Sequence, residues 1–170
     1  MADKNKLRRI MWAAILVLTI IIGILGYLNS RGEKLEEGSI TLKAGHEIIG
    51  VITLDQVKQL PAVNKKMAIS STAGLSKHNF TCTPLRGAFD QVDPQIVERY
   101  QRVITRGVDN YVSGVTMEEV LEKNNVLLVY ADNGQPLRSK IGGKDTMRIV
   151  IMNDSFGQRF TNYLVEIELE

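Results

Sequence analysis

The sequence predicts an α+β chain, with one N-terminal transmembrane helix followed by a mixed, largely antiparallel β-rich domain with short helices. Three observations predict it. An uncharged apolar run fills Ile10 to Leu28. Beyond Gly38, apolar residues mostly alternate with polar ones, the period of a half-buried strand. Stretches with helical period are few and brief, and several open on a capping signal.

The apolar run comes first. "MADKNKLRR" places Lys4, Lys6, Arg8 and Arg9 directly before "IMWAAILVLTIIIGILGYL". At ~1.5 Å per residue that run makes a helix about 28 Å long, close to the roughly 30 Å hydrocarbon core of a bilayer. Trp12 and Tyr27 stand near its two ends, where amphipathic rings favour the interface. Four basic residues before the span, against Arg31 and Lys34 after it, put the N-terminus in the cytoplasm. A cleaved secretion signal competes with this reading, but the run exceeds an ordinary signal core and no A-x-A-like site follows. A buried soluble helix is the third alternative. The expected organisation is a cytoplasmic tail at 1–9, a span at 10–28, a stalk at 29–37 and an extracytoplasmic domain at 38–170, held in the cell membrane by a signal-anchor.

Six of the 21 Lys/Arg and four of the 19 Asp/Glu precede Gly38, which leaves fifteen of each in the domain. A formally neutral domain gives no electrostatic case for nucleic acid, whose binding rests on many Lys/Arg–phosphate contacts. The single cysteine, Cys82, allows no internal disulfide, so packing must stabilise the domain. About 130 residues are enough for one core.

Within the domain, Ile40 and Leu42 begin a strand, and glycines at 45 and 50 bracket a turn and a second short strand. Thr53 and Gln56 form a T-x-x-Q capping box before Leu54, Val57 and Leu60, and Pro61 stops that helix. "KKMAISSTAGLSKHNFTCT" reads as strand, glycine turn and strand. Asp93-Pro94 opens a helix with Pro at its first position. Its period continues into "RVITRGVDNYVSGV", which reads equally well as two strands around a Gly-Val-Asp-Asn turn. A second capping box, Thr116 to Glu119, precedes a short helix. "NVLLVYADNGQPL" is a buried strand entering an Asn133-Gly134 hairpin turn. "MRIVIMND" and "NYLVEIELE" supply two further strands.

Candidate chemistry is sparse. His46 and His78 lack any Cys/His cluster at zinc spacing. His78 lies four strand residues from Cys82, about 13 Å, so the two do not form a nucleophile pair without a bend in the chain. On an alternating strand Cys82 reads as a small buried hydrophobe beside Phe80. Gly142 and Gly143 are turn residues, because they follow a loop and precede a strand. "NDSFGQRF" gathers Asn153, Asp154, Ser155, Gln158 and Arg159, and reads as a solvated hairpin loop.

From Gly38 to Glu170 the chain resembles the sulfite-oxidase-type, molybdopterin-binding oxidoreductase domain. The likeness runs through "VITLDQVKQLP", "FTCTPLRGAF", Asp109-Asn110-Tyr111, Glu118-Glu119, the strand Val126 to Tyr130, Asn133 to Leu137, Gly142-Gly143 and the final Ile167 to Leu169. The resemblance implies a sulfite-oxidase-like fold that, in full-size enzymes, holds molybdopterin with one cysteine on the metal. In those enzymes the cysteine lies upstream of the stretch matching "FTCTPL". Here that upstream region, "KKMAISSTAGLSKHN", has none, and Cys82 falls where the family usually has a glycine.

Two functions follow. The preferred one is a membrane-anchored, non-catalytic binding or interaction module with no cofactor, taking a protein partner or small ligand. The alternative is a molybdopterin-dependent oxidoreductase or redox subunit, with Cys82 as the metal ligand if that alternative holds. In either case the resemblance marks Asp109 and Tyr111, in its Asp-x-Tyr turn, as candidate cofactor-binding residues. No residue is assigned as catalytic.

Overall fold

The computed structural model describes residues 4–30, 37–45, 47–71, 74–140, 142–143, 145–154 and 156–170. His46, Ser155 and most of the expected stalk lie outside them. The chain divides into two compact units, Met1–Lys34 and Leu35–Glu170.

The first unit is one helix, α1 (Lys4–Ser30). Its stretch Arg8–Tyr27 is long and apolar enough to cross a membrane. Thr19 does not interrupt it, because its hydroxyl donates to the Ile15 carbonyl one turn back, at 2.9 Å.

The second unit opens with β1 (Ser39–Ala44) and β2 (Glu47–Thr53), an antiparallel pair. Thr53 then caps α2 (Leu54–Gln59): Gln56 N–H donates to Thr53 Oγ1 at 3.3 Å and Thr53 N–H donates to Gln56 Oε1 at 2.8 Å. The long hairpin β3 (Val63–Ser71) and β4 (Gly74–Pro84) follows. The short helix α3 (Leu85–Asp90) comes next. The sequence reading did not foresee it, although Leu85, Ala88 and Phe89 carry its i, i+3, i+4 signal and all three are buried.

Helix α4 (Ile96–Arg99) starts two residues later than expected. Pro94 lies in a turn before it, which Asp93 fixes by accepting the Gln95 N–H at 2.9 Å. The ambiguous segment resolves as two strands, β5 (Arg102–Gly107) and β6 (Val112–Thr116), paired across the 107–110 turn. Thr116 and Glu119 make the second reciprocal capping box, on α5 (Met117–Leu121). Strand β7 (Val126–Asp132) turns through Asn133 (φ 50°) and Gly134 (φ 76°), the left-handed pair a tight hairpin needs, into β8 (Gln135–Pro136). Strands β9 (Arg148–Ile151) and β10 (Leu164–Leu169) complete the unit.

These strands form two sheets, ordered β2-β1-β10-β5-β6 and β3-β4-β7, with β8 and β9 both along the other edge of β7. All pairs are antiparallel except β1 with β10. Val126 to Tyr130 are buried on both faces, which explains the unbroken apolar run. One core joins the sheets, with Ile40, Leu42 and Ile167 from the first and Phe80, Leu128 and Ile149 from the second. The sheets are also stitched through the backbone: Ile149 N–H donates to the Thr161 carbonyl at 2.9 Å, and Leu164 N–H to Met147 at 2.8 Å. Arg148 sits in that seam.

Candidate functional site

Strand alternation puts Ser76, His78, Phe80 and Cys82 on one face of β4. Along it the chain passes from solvent to core: Ser76 is exposed, His78 is half-buried, and Phe80 and Cys82 are fully buried. The Cys82 thiol points into protein and donates to the Val63 carbonyl at 3.3 Å. Burial pushes it up to about 11, against a small opposing effect of Lys65. This is the buried hydrophobe the sequence predicts. A thiol so placed is a poor metal ligand or nucleophile.

His78 does not meet Cys82. Its Nδ1 lies 2.5 Å from Asp132 Oδ2 on β7, and its Nε2 lies 2.8 Å from Ser76 Oγ. Its ring stacks on Phe80, with centroids 5.1 Å apart and planes 13° apart. Asp132 is held in turn by the Asn79 N–H, which donates to its other oxygen at 3.2 Å.

Ser76 and His78 line a cavity of about 670 Å³ whose apolar wall is Ile69, Phe156 and Phe160. Arg148 and Asn162 also line it, and Arg148 Nε donates to Asn162 Oδ1 at 2.7 Å. The guanidinium lies 5.8 Å from the Phe80 ring centre. Burial lowers the Arg148 pKa, opposed by the negative charge of Asp132, yet an arginine there stays a cation. Arg148 and Asn162 also line a second cavity of about 210 Å³, shared with Arg138 and Thr146. There Thr146 Oγ1 is buried with no hydrogen-bond partner among the described residues. An orphaned hydroxyl in a cavity that two arginines also line suits an anionic ligand group. Next to Asn162, Tyr163 has φ 51°, a left-handed conformation that costs a bulky residue on the order of 1–2 kcal/mol.

The segment read as a solvated loop, largely exposed as expected, also forms a wall of the site. Phe156, Gly157 and Gln158 face the larger cavity, and Arg159 behind them grips Asp154 at 2.5 Å and Glu119 at 2.9 Å. Those two carboxylates hold the Arg159 proton more firmly, Asp154 more than Glu119. Arg159 in turn lowers the Glu119 pKa. Glu119 thus caps α5 and anchors the cavity wall with one side chain.

Asp109 and Tyr111 lie outside both cavities. Asp109 Oδ1 accepts the Tyr111 N–H at 3.2 Å, closing the β5–β6 turn. A side chain at Gly107 would come within 2.5 Å of the Asn162 carbonyl, so only glycine lets that turn approach the site. The Tyr111 hydroxyl donates to the Gln158 carbonyl, so Tyr111 touches the cavity wall from behind.

The residues that sequence reasoning passed over are Ser76, His78 as a partner of Asp132, Arg148 and Phe156. Two signals were available: Ser76 and His78 share a strand face, and Arg148 is a lone charge in the apolar run "MRIVIM". Asp132 lies 54 residues from His78, and no local pattern links them.

The model of the oxidoreductase molybdopterin-binding domain matches residues 50–170. The chain belongs to that family. A solved structure, the sulfane dehydrogenase SoxCD from Paracoccus pantotrophus, superimposes on this family member with a TM-score of 0.61 at 14% identity. The match covers 80% of this chain and 39% of that one, so at this identity the likeness establishes the sulfite-oxidase-like fold alone. No curated protein sequence matches. Within the family fold, the donor set does not suit a thiolate-held metal, because the only sulfur of a cysteine is buried and hydrogen-bonded to Val63. Among the described residues no three His, Cys, Asp or Glu side chains gather as a metal site.

Proposed function

We propose that this chain is a membrane-anchored, extracytoplasmic binding module that keeps the molybdopterin-binding fold without thiolate-bound metal redox chemistry. The fate of Cys82 carries the reading. The side chain that would bind the metal faces the core, and the cationic, partly apolar cavity lies at the other end of the same strand face. The helix Lys4–Ser30 is the anchor, and the basic residues of its first turns, ahead of the apolar run from Ile10, support a cytoplasmic N-terminus with residues 38–170 outside. The occupant is a small anion with an apolar part. Arg148, Arg138 and the Thr146 hydroxyl take its charge, while Phe156 and Phe160 take its apolar part. Asp109 and Tyr111 serve such a ligand as positioning residues, Tyr111 through Gln158.

The size of the larger cavity and its cation favour a second reading, in which molybdopterin is held without a cysteine ligand. Bound there, the group would supply electron transfer at its metal. Purification of the full chain in detergent, with metal analysis and pterin fluorescence, separates the two. The binding-module reading expects neither molybdenum nor pterin, and stoichiometric amounts of either overturn it. Protease added to intact spheroplasts tests the topology: residues 38–170 are expected to be digested, and protection until lysis reverses the orientation.

A further inference from the structure

We propose that Ser76, His78 and Asp132 form a hydrolytic triad that cleaves carboxylic esters whose apolar acyl group lies in the cavity of Ile69, Phe156 and Phe160. This goes beyond ligand binding and needs no metal. Ser76 and His78 are two residues apart on β4, so the pleat places both side chains on one face. The chain of contacts is continuous: Asp132 Oδ2 to His78 Nδ1 at 2.5 Å, then His78 Nε2 to Ser76 Oγ at 2.8 Å.

The carboxylate settles the tautomer. An ionised Asp132 only accepts, so Nδ1 carries the proton and Nε2 is left as the acceptor for the serine hydroxyl. The competing acceptor for that hydroxyl, the Ile69 carbonyl, is farther away at 3.4 Å. Asp132 is itself oriented by the Asn79 N–H, and stacking on Phe80 sets the orientation of the imidazole plane. His78 and Asp132 each keep only 20% of their side-chain surface, whereas Ser76 is exposed at the cavity mouth. That combination shields the base and leaves the nucleophile reachable. Arg148, on the same cavity, is the cation available to a developing oxyanion.

The reaction balances with water as the only co-reactant. Ser76 Oγ bonds to the ester carbonyl carbon while its proton passes to His78 Nε2. The tetrahedral centre collapses, the C–O bond to the alcohol breaks, and His78 returns the proton to the leaving oxygen. Water then attacks the acyl-serine by the same path, releasing the acid and restoring Ser76. His78 and Ser76 are the catalytic residues, and Asp132 is a positioning residue.

The test uses the full chain in detergent micelles with p-nitrophenyl butyrate and a fluorophosphonate probe. The wild type is expected to hydrolyse the ester and to carry one phosphonyl group, mapped by mass spectrometry to Ser76. Ser76→Ala abolishes both, and His78→Gln lowers kcat about 100-fold or more. Asp132→Asn keeps one oxygen for the Asn79 N–H but turns an amide donor toward His78 Nδ1, which favours the wrong tautomer, so kcat falls while KM and melting temperature hold. Absence of label on Ser76 in wild type, or a Ser76→Ala rate equal to wild type, overturns the proposal. The wild-type label needs no variant to fold, and it reads the serine whether or not molybdenum or a pterin co-purifies. The inference and the binding-module reading therefore fail separately.

Discussion

Strand β4 offers two residues of the same face, four apart, with opposite fates. At its inner end Cys82 is covered by β3 and β7 and donates its proton to a neighbouring backbone carbonyl. At its outer end His78 borders a cavity and bonds to two side chains. Local sequence does not separate them, because both are single polarizable residues on an alternating strand. The difference is what the adjacent strand brings. Next to Cys82, β7 is the apolar run Val126–Tyr130; next to His78, the same strand has reached Asp132. A register change between Thr81 and Cys82, where Tyr130 is skipped, marks the boundary. A buried cysteine and a candidate functional histidine thus follow from one pairing.

The strongest way to break this comparison is to remove its inner half. Leu128 is fully buried on β7 opposite Thr83, between β4 and β9. Leu128→Asp places an unpaired charge there at a cost of several kcal/mol, comparable with the whole stability of a domain. Loss of cooperative unfolding by circular dichroism is expected, and a parental melting curve would show that the inner half of the sheet is not central.

Alkali sharpens the comparison at Cys82 itself. The folded thiol keeps its proton to about pH 11, whereas the unfolded one loses it from its ordinary value of 9.0. The folded state therefore binds more protons between those values, and stability falls as pH rises through that window. The loss is on the order of 2 kcal/mol. Cys82→Ala should cost about 1 kcal/mol at neutral pH and make the alkaline slope shallower, leaving the part that buried Tyr130 contributes, as read by urea titrations at pH 7 and 10.5. Native protein should react slowly with a thiol reagent and unfolded protein quickly. Fast native labelling would put Cys82 on the wrong side of the comparison.

The smallest effect concerns the support of the outer half. Tyr111→Phe removes the hydroxyl that donates to Gln158 on the cavity wall, at a cost of about 0.5–1.5 kcal/mol. Its melting temperature should drop slightly, and the midpoint of any stabilising ligand in a thermal-shift series should move with it. Asp109→Ala, which frees the Tyr111 N–H, should behave alike. A ligand whose effect survives both changes owes nothing to this turn.

Both capping boxes, the Asn133-Gly134 turn, the burial of Cys82 and the apolar helix were written in the sequence, because each depends on residues within a few positions of one another. The family was legible as well, since the order of such short segments carries it. Helix α3 was missed although its spacing was present, because six residues of helical period are too few to stand out beside Pro84 and a long strand. The start of α4 was misplaced because Asp93 closes a turn as readily as it caps a helix. The choice between helix and hairpin at 102–116 was made only when β10 arrived to pair with β5. The cavity belongs to the tertiary structure entirely. Its walls come from residues 69 to 162, and Arg148 joins His78 only because the seam between β9 and the start of β10 folds beside β4. Periodicity fixes which face of a strand a side chain occupies, but register and sheet order decide what that face meets.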